Sequence, residues 1–213
     1  MARALYCSVD PALYFPERRT KEWALGYLGT FSKDRQPALN SLLLAPAIMW
    51  PAGRFVVAGP QYPRAIKWPP NVERVIHLNP KEHRAFYNSQ RFTLNITRAA
   101  MVRAGFSPSV RLFEAAACGT PIVSDAWPGL ETIFEPGSEI LVVKTTSDVL
   151  QILHELPEEI ACDIAGRARA RVLAEHTAEH RAAELQTIIE QARGASADAT
   201  SFVGLEIARE EVS

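Results

Sequence analysis

Cysteine is scarce in this chain. There are three among 213 residues, Cys7, Cys118 and Cys162. An odd number, far apart and without metal-type spacing, excludes a disulfide framework and a zinc module, and fits a reduced, cytoplasmic setting. Charge of one sign is lacking too: 23 basic residues against 24 acidic ones leave a net charge of −1. That removes the electrostatic footprint of a nucleic-acid binder and of a polybasic membrane anchor. No stretch approaches ~18 uninterrupted apolar residues, so no membrane span is expected. The apolar run in MARALYCSVDP is too short for a secretory signal. Several chemical signatures are missing as well. There is no Gly-x-Gly-x-x-Gly, Walker, Gly-x-Ser-x-Gly or His-Glu-x-x-His pattern, and no Asp-x-Asp triplet. His176 and His180 stand four apart on a predicted helix, but with no third ligand they read as a solvated face.

What is present is a chain of 47% hydrophobic residues, enough for one core of good size. Continuous apolar runs recur at 23–30 (WALGYLGT), 54–59 (RFVVAG), 72–78 (VERVIHL), 91–96 (RFTLNI), 122–124 and 140–144 (ILVVK). Such runs suit strands buried on both faces. Helical stretches fall between them, at 36–44 (interrupted or ended by Pro46), 81–89, the region from Ser107 to Gly119, 128–134, and from a cap at Ser147 to about 156. Strands alternating with helices predict an α/β fold, a doubly wound parallel sheet of about six strands. Residues 158–193 follow as one or two amphipathic helices, and GASADATS from residue 194 begins a small, polar, flexible tail with a marginal helix in FVGLEIAREEVS. Residues 1–22 read as a short strand, ALYCSVD, and a loop, the end of a connection from something upstream.

The organising stretch is 105–125, GFSPSVRLFEAAACGTPIVSD. Ser107 is placed to cap a helix, Pro108 to sit at its first position and Gly119 to end it. Val110, Phe113 and Ala117 form an apolar stripe for packing on the sheet. Arg111 and Glu114, three apart, share a neighbouring face, where they make either an intrahelical ion pair or the two poles of a site. A helix N-terminus attracts anions, and a carboxylate one turn further in suits the hydroxyl pair of a ribose. Ligands of such sheets sit beyond the carboxyl ends of the strands. Gly29, Thr30, Gly59, His77, Asn95 and the start of this helix all fall at that end. Lys33 and Arg35 follow the Gly-Thr turn. Asp125 is read as a loop-capping carboxylate, and Trp50, Trp68 and Trp127 as loop packing.

The segments LGYLGTFSKDR, RFVVAGPQYP, FTLNITR and SPSVRLFEAAACGTPIVSD resemble the C-terminal half of GT-B-fold glycosyltransferases, family 1-like, and more closely the spore-maturation (CgeB-like) type. The resemblance covers about residues 5–190. It implies a Rossmann-like domain over 23–156 that binds a nucleotide-diphosphate sugar (UDP-, GDP- or dTDP-linked), with terminal helices over 157–193. It implies that Glu114 contacts the ribose and that Ser107, Ser109 and Arg111 lie on the phosphate side. Gly29, Thr30 and Arg35 fall in the matching first loop, and His77 where the family contacts the base. Asn95 and Arg98 fall in the loop facing the cleft. The implied hexosyl transfer is metal-independent and uses no cofactor, with arginine and a helix N-terminus in the metal's place. Two departures stand out. Phe106 occupies the position where many retaining members carry a second glutamate. The N-terminal domain that would hold the acceptor and a catalytic base is missing, so no catalytic residue is assigned, a partner domain or chain is expected, and the chain alone is expected to be inactive. Two rival readings remain: a nucleotide-sugar epimerase of the same fold, and a non-catalytic nucleotide-sugar-binding module serving a partner.

Overall fold

A run such as Phe55–Ala58 (FVVA) has no polar side to turn to water, so it is stable only between two covering layers. In the computed structural model, which describes residues 4–193, all four of its side chains are buried. The strands are β1 (Trp23–Leu28), β2 (Phe55–Ala58), β3 (Val72–Val75), β4 (Gln90–Asn95), β5 (Ile122–Ser124) and β6 (Leu141–Val142). They form one sheet in the order β3-β2-β1-β4-β5-β6, with every pairing parallel. The strand order reverses between β1 and β4, the switch point of a doubly wound fold. β3 and β6 are shorter than their apolar runs.

Alternate side chains feed two cores. On one face Leu25, Phe55, Val57, Phe92 and Leu94 pack with Leu39, Leu43, Val149 and Leu153. These partners come from α1 (Gln36–Leu39), the segment Asn40–Leu44 that continues it, and α6 (Thr146–Glu155). On the other face Val56, Ala58 and Phe86 meet Leu112, Phe113, Ala115 and Ala116, with Ala168 and Val172 behind. These belong to α3 (His83–Asn88), α5 (Val110–Ala117) and α7 (Glu158–Glu175).

Several local expectations are corrected. Pro46 does not end its helix. Asn40–Leu44 forms a π-helical turn in which Ala45 N–H reaches back to Asn40 O, and α2 (Ala45–Met49) continues beyond it. The wide turn relieves the proline ring, which then stands at the first positions of the next segment, where no N–H is required. The stretch before the central helix is not all loop, because α4 (Ala99–Ala104) forms there. The central helix is capped at Ser109 rather than Ser107, and Val110, expected on the packed stripe, is exposed. The carbonyl of Pro108 accepts from Cys7 Sγ at 3.3 Å, and the helical bonding begins at Ser109 O, accepting from Leu112 N. The cap of α6 is Thr145 rather than Ser147, in a reciprocal capping box with Asp148. Residues 128–134 hold only a 3₁₀ turn, Leu130–Thr132. ALYCSVD forms no strand. One bridge joins Val9 to Thr177, between α7 and a further helix, α8, over residues 178–193. The tail from residue 194, FVGLEIAREEVS included, lies outside the described residues.

Candidate functional site

The crevice at the switch point is built by the loop after β1, the loop after β4 and the first turn of α5. Two glycines let the loops approach. Gly59 has φ +138°, and a Cβ there would stand 2.2 Å from Gly29 O. A Cβ on Gly29 would meet Tyr27 Oη at 2.6 Å. Between the loops lies a cavity of about 280 Å³ lined by Gly29, Thr30, Arg35, Arg98, Ser109 and Arg111, with Ile96, Thr97 and Met101.

Arg111 is buried. Its Nε donates to Leu28 O at 2.6 Å and its Nη1 to Asn95 Oδ1 at 2.8 Å, while the guanidinium lies 4.9 Å from the Tyr27 ring centre. The side chain therefore spans β1 and β4, and its position in the cavity is fixed in advance. Arg35 is 8% exposed. Its Nη2 donates to Thr30 O at 2.5 Å, but its Nε has no partner. Burial lowers the pKa of Arg35 from the ordinary arginine value, and the Arg111 and Arg98 charges add to that. A buried donor without an acceptor is costly, and three arginines around one cavity repel each other. No carboxylate lines it. An oxyanion in the cavity offsets that repulsion.

Of the remaining expected residues, Asn95 lies beneath the cavity. Besides holding Arg111, it donates from Nδ2 to Ser124 Oγ at 3.0 Å. Glu114 does not line the cavity and makes no ion pair with Arg111 among the described residues. Its Oε2 accepts from Tyr87 Oη at 2.8 Å. Burial and the Glu114 charge keep the Tyr87 phenol far above its usual range. Tyr14 lies beside them, its ring centre 6.5 Å from that of Tyr87, and its pKa is likewise raised, first by burial and then by Glu114. Arg111 and Glu114 thus diverge to two sides of the same helix start. Ser107 is half-buried and His77 exposed, and neither lines the cavity.

Asp125 caps a loop, as its position suggested. Its Oδ2 accepts from Thr97 N at 2.9 Å and its Oδ1 from Thr97 Oγ1 at 2.8 Å. Burial raises its pKa, against the lowering by those hydrogen bonds. The tryptophans pack in loops: Trp50 against Phe55 and His154, Trp68 against Tyr62. Sequence reasoning missed Tyr27, Thr97 and Met101. The parity of β1 could have flagged Tyr27, which falls on the same side as Leu25. Among the described residues no group of three or more His, Cys, Asp or Glu side chains could hold a metal ion, and no helix is long and apolar enough to cross a membrane.

The family described as "Glycosyl transferase-like" matches residues 35–187 of this chain. No curated protein matches it significantly. Three solved structures show the similarity of fold. Sucrose-phosphate synthase from Thermosynechococcus elongatus superposes with TM-score 0.71 at 18% identity, over 91% of this chain and 53% of that one. Anabaena HepE, in complex with UDP and glucose, gives TM-score 0.72 at 12% identity over 89% and 57%. The C-terminal domain of a glycosyl transferase group 1 family protein, LpcC, from Francisella tularensis gives 0.63 at 14% identity, over 80% of this chain and 99% of that domain. The chain thus spans about half the length of the synthase and of HepE, and nearly all of an isolated C-terminal domain.

Proposed function

The chain belongs to the glycosyl transferase-like family, and from that premise we propose that it is the donor half of a metal-independent glycosyltransferase, binding a UDP-, GDP- or dTDP-linked hexose. We place it in the CgeB-like group on the segments that resemble it. The observation that carries the reading is the cavity that Arg35, Arg98 and Arg111 share and no carboxylate lines. A sugar diphosphate is the ligand whose chemistry answers that arrangement. As the glycosidic bond breaks, negative charge accumulates on the departing diphosphate, and donors fixed beforehand stabilise it without reorganising.

Glu114 extends the reading across the start of α5. The diphosphate lies on the Arg111 side, and the ribose reaches the Glu114 side, where Tyr87 holds the carboxylate. HepE carries UDP and glucose in its complex, which favours a nucleotide sugar over a bare phosphate here. The nucleotide-sugar domain is residues 23–156, with 157–193 as terminal helices and 1–22 as the connecting segment. The acceptor and the base that deprotonates it belong to a partner domain or chain, and the setting is cytoplasmic. Asp125 has both oxygens committed to Thr97 and is not that base.

Calorimetric titration with UDP, GDP, dTDP and the matching nucleosides tests the reading. One diphosphate should bind, and Arg111→Ala should weaken it far more than its nucleoside. Failure of all three to bind, or equal losses for diphosphate and nucleoside, overturns the reading.

A further inference from the structure

Arg98 breaks a local rule. It is the N-cap residue of α4, with extended backbone (φ −68°, ψ 141°) and no capping hydrogen bond from its own side chain. Ser, Thr, Asp and Asn favour that position because they accept from the helix's free N–H groups, which a guanidinium cannot do. A positive charge there also opposes the helix dipole. A residue wrong for its local structure, at the mouth of an anion cavity, marks a position chosen for something else.

The missing cap is supplied from elsewhere. Asp34, in the loop after β1, accepts from Ala99 N at 2.8 Å, and its other oxygen is held by Ser32 Oγ. On the opposite side Asp125 accepts from both Thr97 N and Thr97 Oγ1. The carbonyl of Arg98 itself accepts from Val102 N at 2.9 Å. Carboxylates from two separate loops therefore grip the backbone one residue before and one residue after Arg98. The side chain between them is exposed and lines the cavity.

We infer that Asp34 and Asp125 are positioning residues that clamp the backbone on either side of Arg98, so that its guanidinium meets the diphosphate from a fixed base. The inference rests on the diphosphate reading given above. Neither carboxylate touches the ligand. Each opposes it by charge, and each acts in its favour only through Arg98.

That opposition makes the test one of sign. Titrate the full chain with UDP, GDP and dTDP, and follow the one that binds. If Asp34 were only a nearby negative charge, Asp34→Ala would tighten binding. If it clamps, Asp34→Ala weakens binding about fivefold, the scale of a lost helix cap. Asp34→Asn keeps an acceptor for Ala99 N–H and loses the charge, so it binds at least as tightly as the wild type. In an Arg98→Ala background the loss from Asp34→Ala disappears. Asp125→Ala, which leaves both Thr97 donors without their carboxylate, checks the other side and also weakens binding. Tighter binding by Asp34→Ala, or a loss that persists without Arg98, overturns the clamp and leaves the diphosphate reading intact. If the wild type binds none of the three, that reading falls and takes the clamp with it. Should Asp34→Ala fail to fold, Asp34→Asn and Asp125→Ala carry the comparison, and binding unchanged in Asp125→Ala overturns the clamp.

Discussion

The two ends of the sheet use the same polar residues differently. At the amino ends Arg91 spends every nitrogen on the fold. Its Nη1 and Nη2 donate to Leu153 O and Leu156 O at 2.6 and 2.9 Å, and its Nε to Glu158 at 3.0 Å, fastening the junction of α6 and α7. Asn71, at the same end of the sheet before β3, gathers the carbonyls of Ala47, Trp50 and Gly53 on one amide. At the carboxyl ends Arg35 is more deeply buried than the half-buried Arg91, yet its Nε has no protein partner. An arginine that finishes the fold and an arginine that the fold leaves unfinished can stand at opposite ends of one sheet. The difference between them is one of hydrogen-bond accounting, and at the carboxyl end it falls where three arginines share one cavity.

The comparison can be broken in four places. The largest effect is expected at Gly59, where an added Cβ would meet the backbone oxygen of Gly29 at 2.2 Å and the φ of +138° already disfavours any side chain. Gly59→Ala should cost more than about 3 kcal/mol in urea unfolding, and a loss below about 1 kcal/mol would mean that the two loops yield easily. Next comes Arg91→Ala, which strands two helix-end carbonyls. It should cost about 2–3 kcal/mol of stability and leave diphosphate affinity unchanged. A loss of affinity would show that the two ends are coupled.

Arg35→Met reverses that pattern. Diphosphate affinity falls about tenfold, while the melting temperature holds or rises, because a desolvated cation leaves the company of Arg98 and Arg111. A marked drop in melting temperature would make Arg35 a structural residue like Arg91. The smallest effect belongs to His176, which lies at neither end. It is buried at the α7–α8 junction beside Arg181, and burial, with the Arg181 charge next, lowers its pKa. The unfolded chain therefore takes up the proton first. Its contribution to stability is complete above the ordinary histidine value and is lost as pH falls through it. Thermal melts from about pH 8 to pH 5 should show this slope, and His176→Gln should flatten it.

Much of the architecture was legible because two-sided burial writes itself as continuous apolar runs. Ile122–Ser124 is the strand read from the sequence. The π-helical turn at Asn40–Leu44 was not legible, since a proline announces a break and gives no sign of the wide turn that accommodates it. The helix start shifted from Ser107 to Ser109, two serines that flank one proline, whose carbonyl accepts from Cys7, 101 residues away. In the site, the Gly29–Thr30 turn, Arg35, Arg98, Ser109 and Arg111 were foreseen from position and resemblance, and they converge. The shared face of Arg111 and Glu114 was not realised. Spacing brings two side chains near each other, but their partners lie outside the helix, on Leu28, Asn95 and Tyr87. Asp34 gave no local sign of its role, because the amide that it caps lies 65 residues away.

The cavity shared by Arg35, Arg98 and Arg111 also has a consequence at the bench. An oxyanion that enters the cavity binds the folded chain and not the unfolded one, so it adds stability as RT ln(1 + [L]/Kd), about 2.7 kcal/mol at a hundredfold excess over Kd. Phosphate or sulfate should therefore shift the melting curve where chloride at equal ionic strength does not. The identity of the buffer salt would then decide how the protein survives purification, storage and crystallisation.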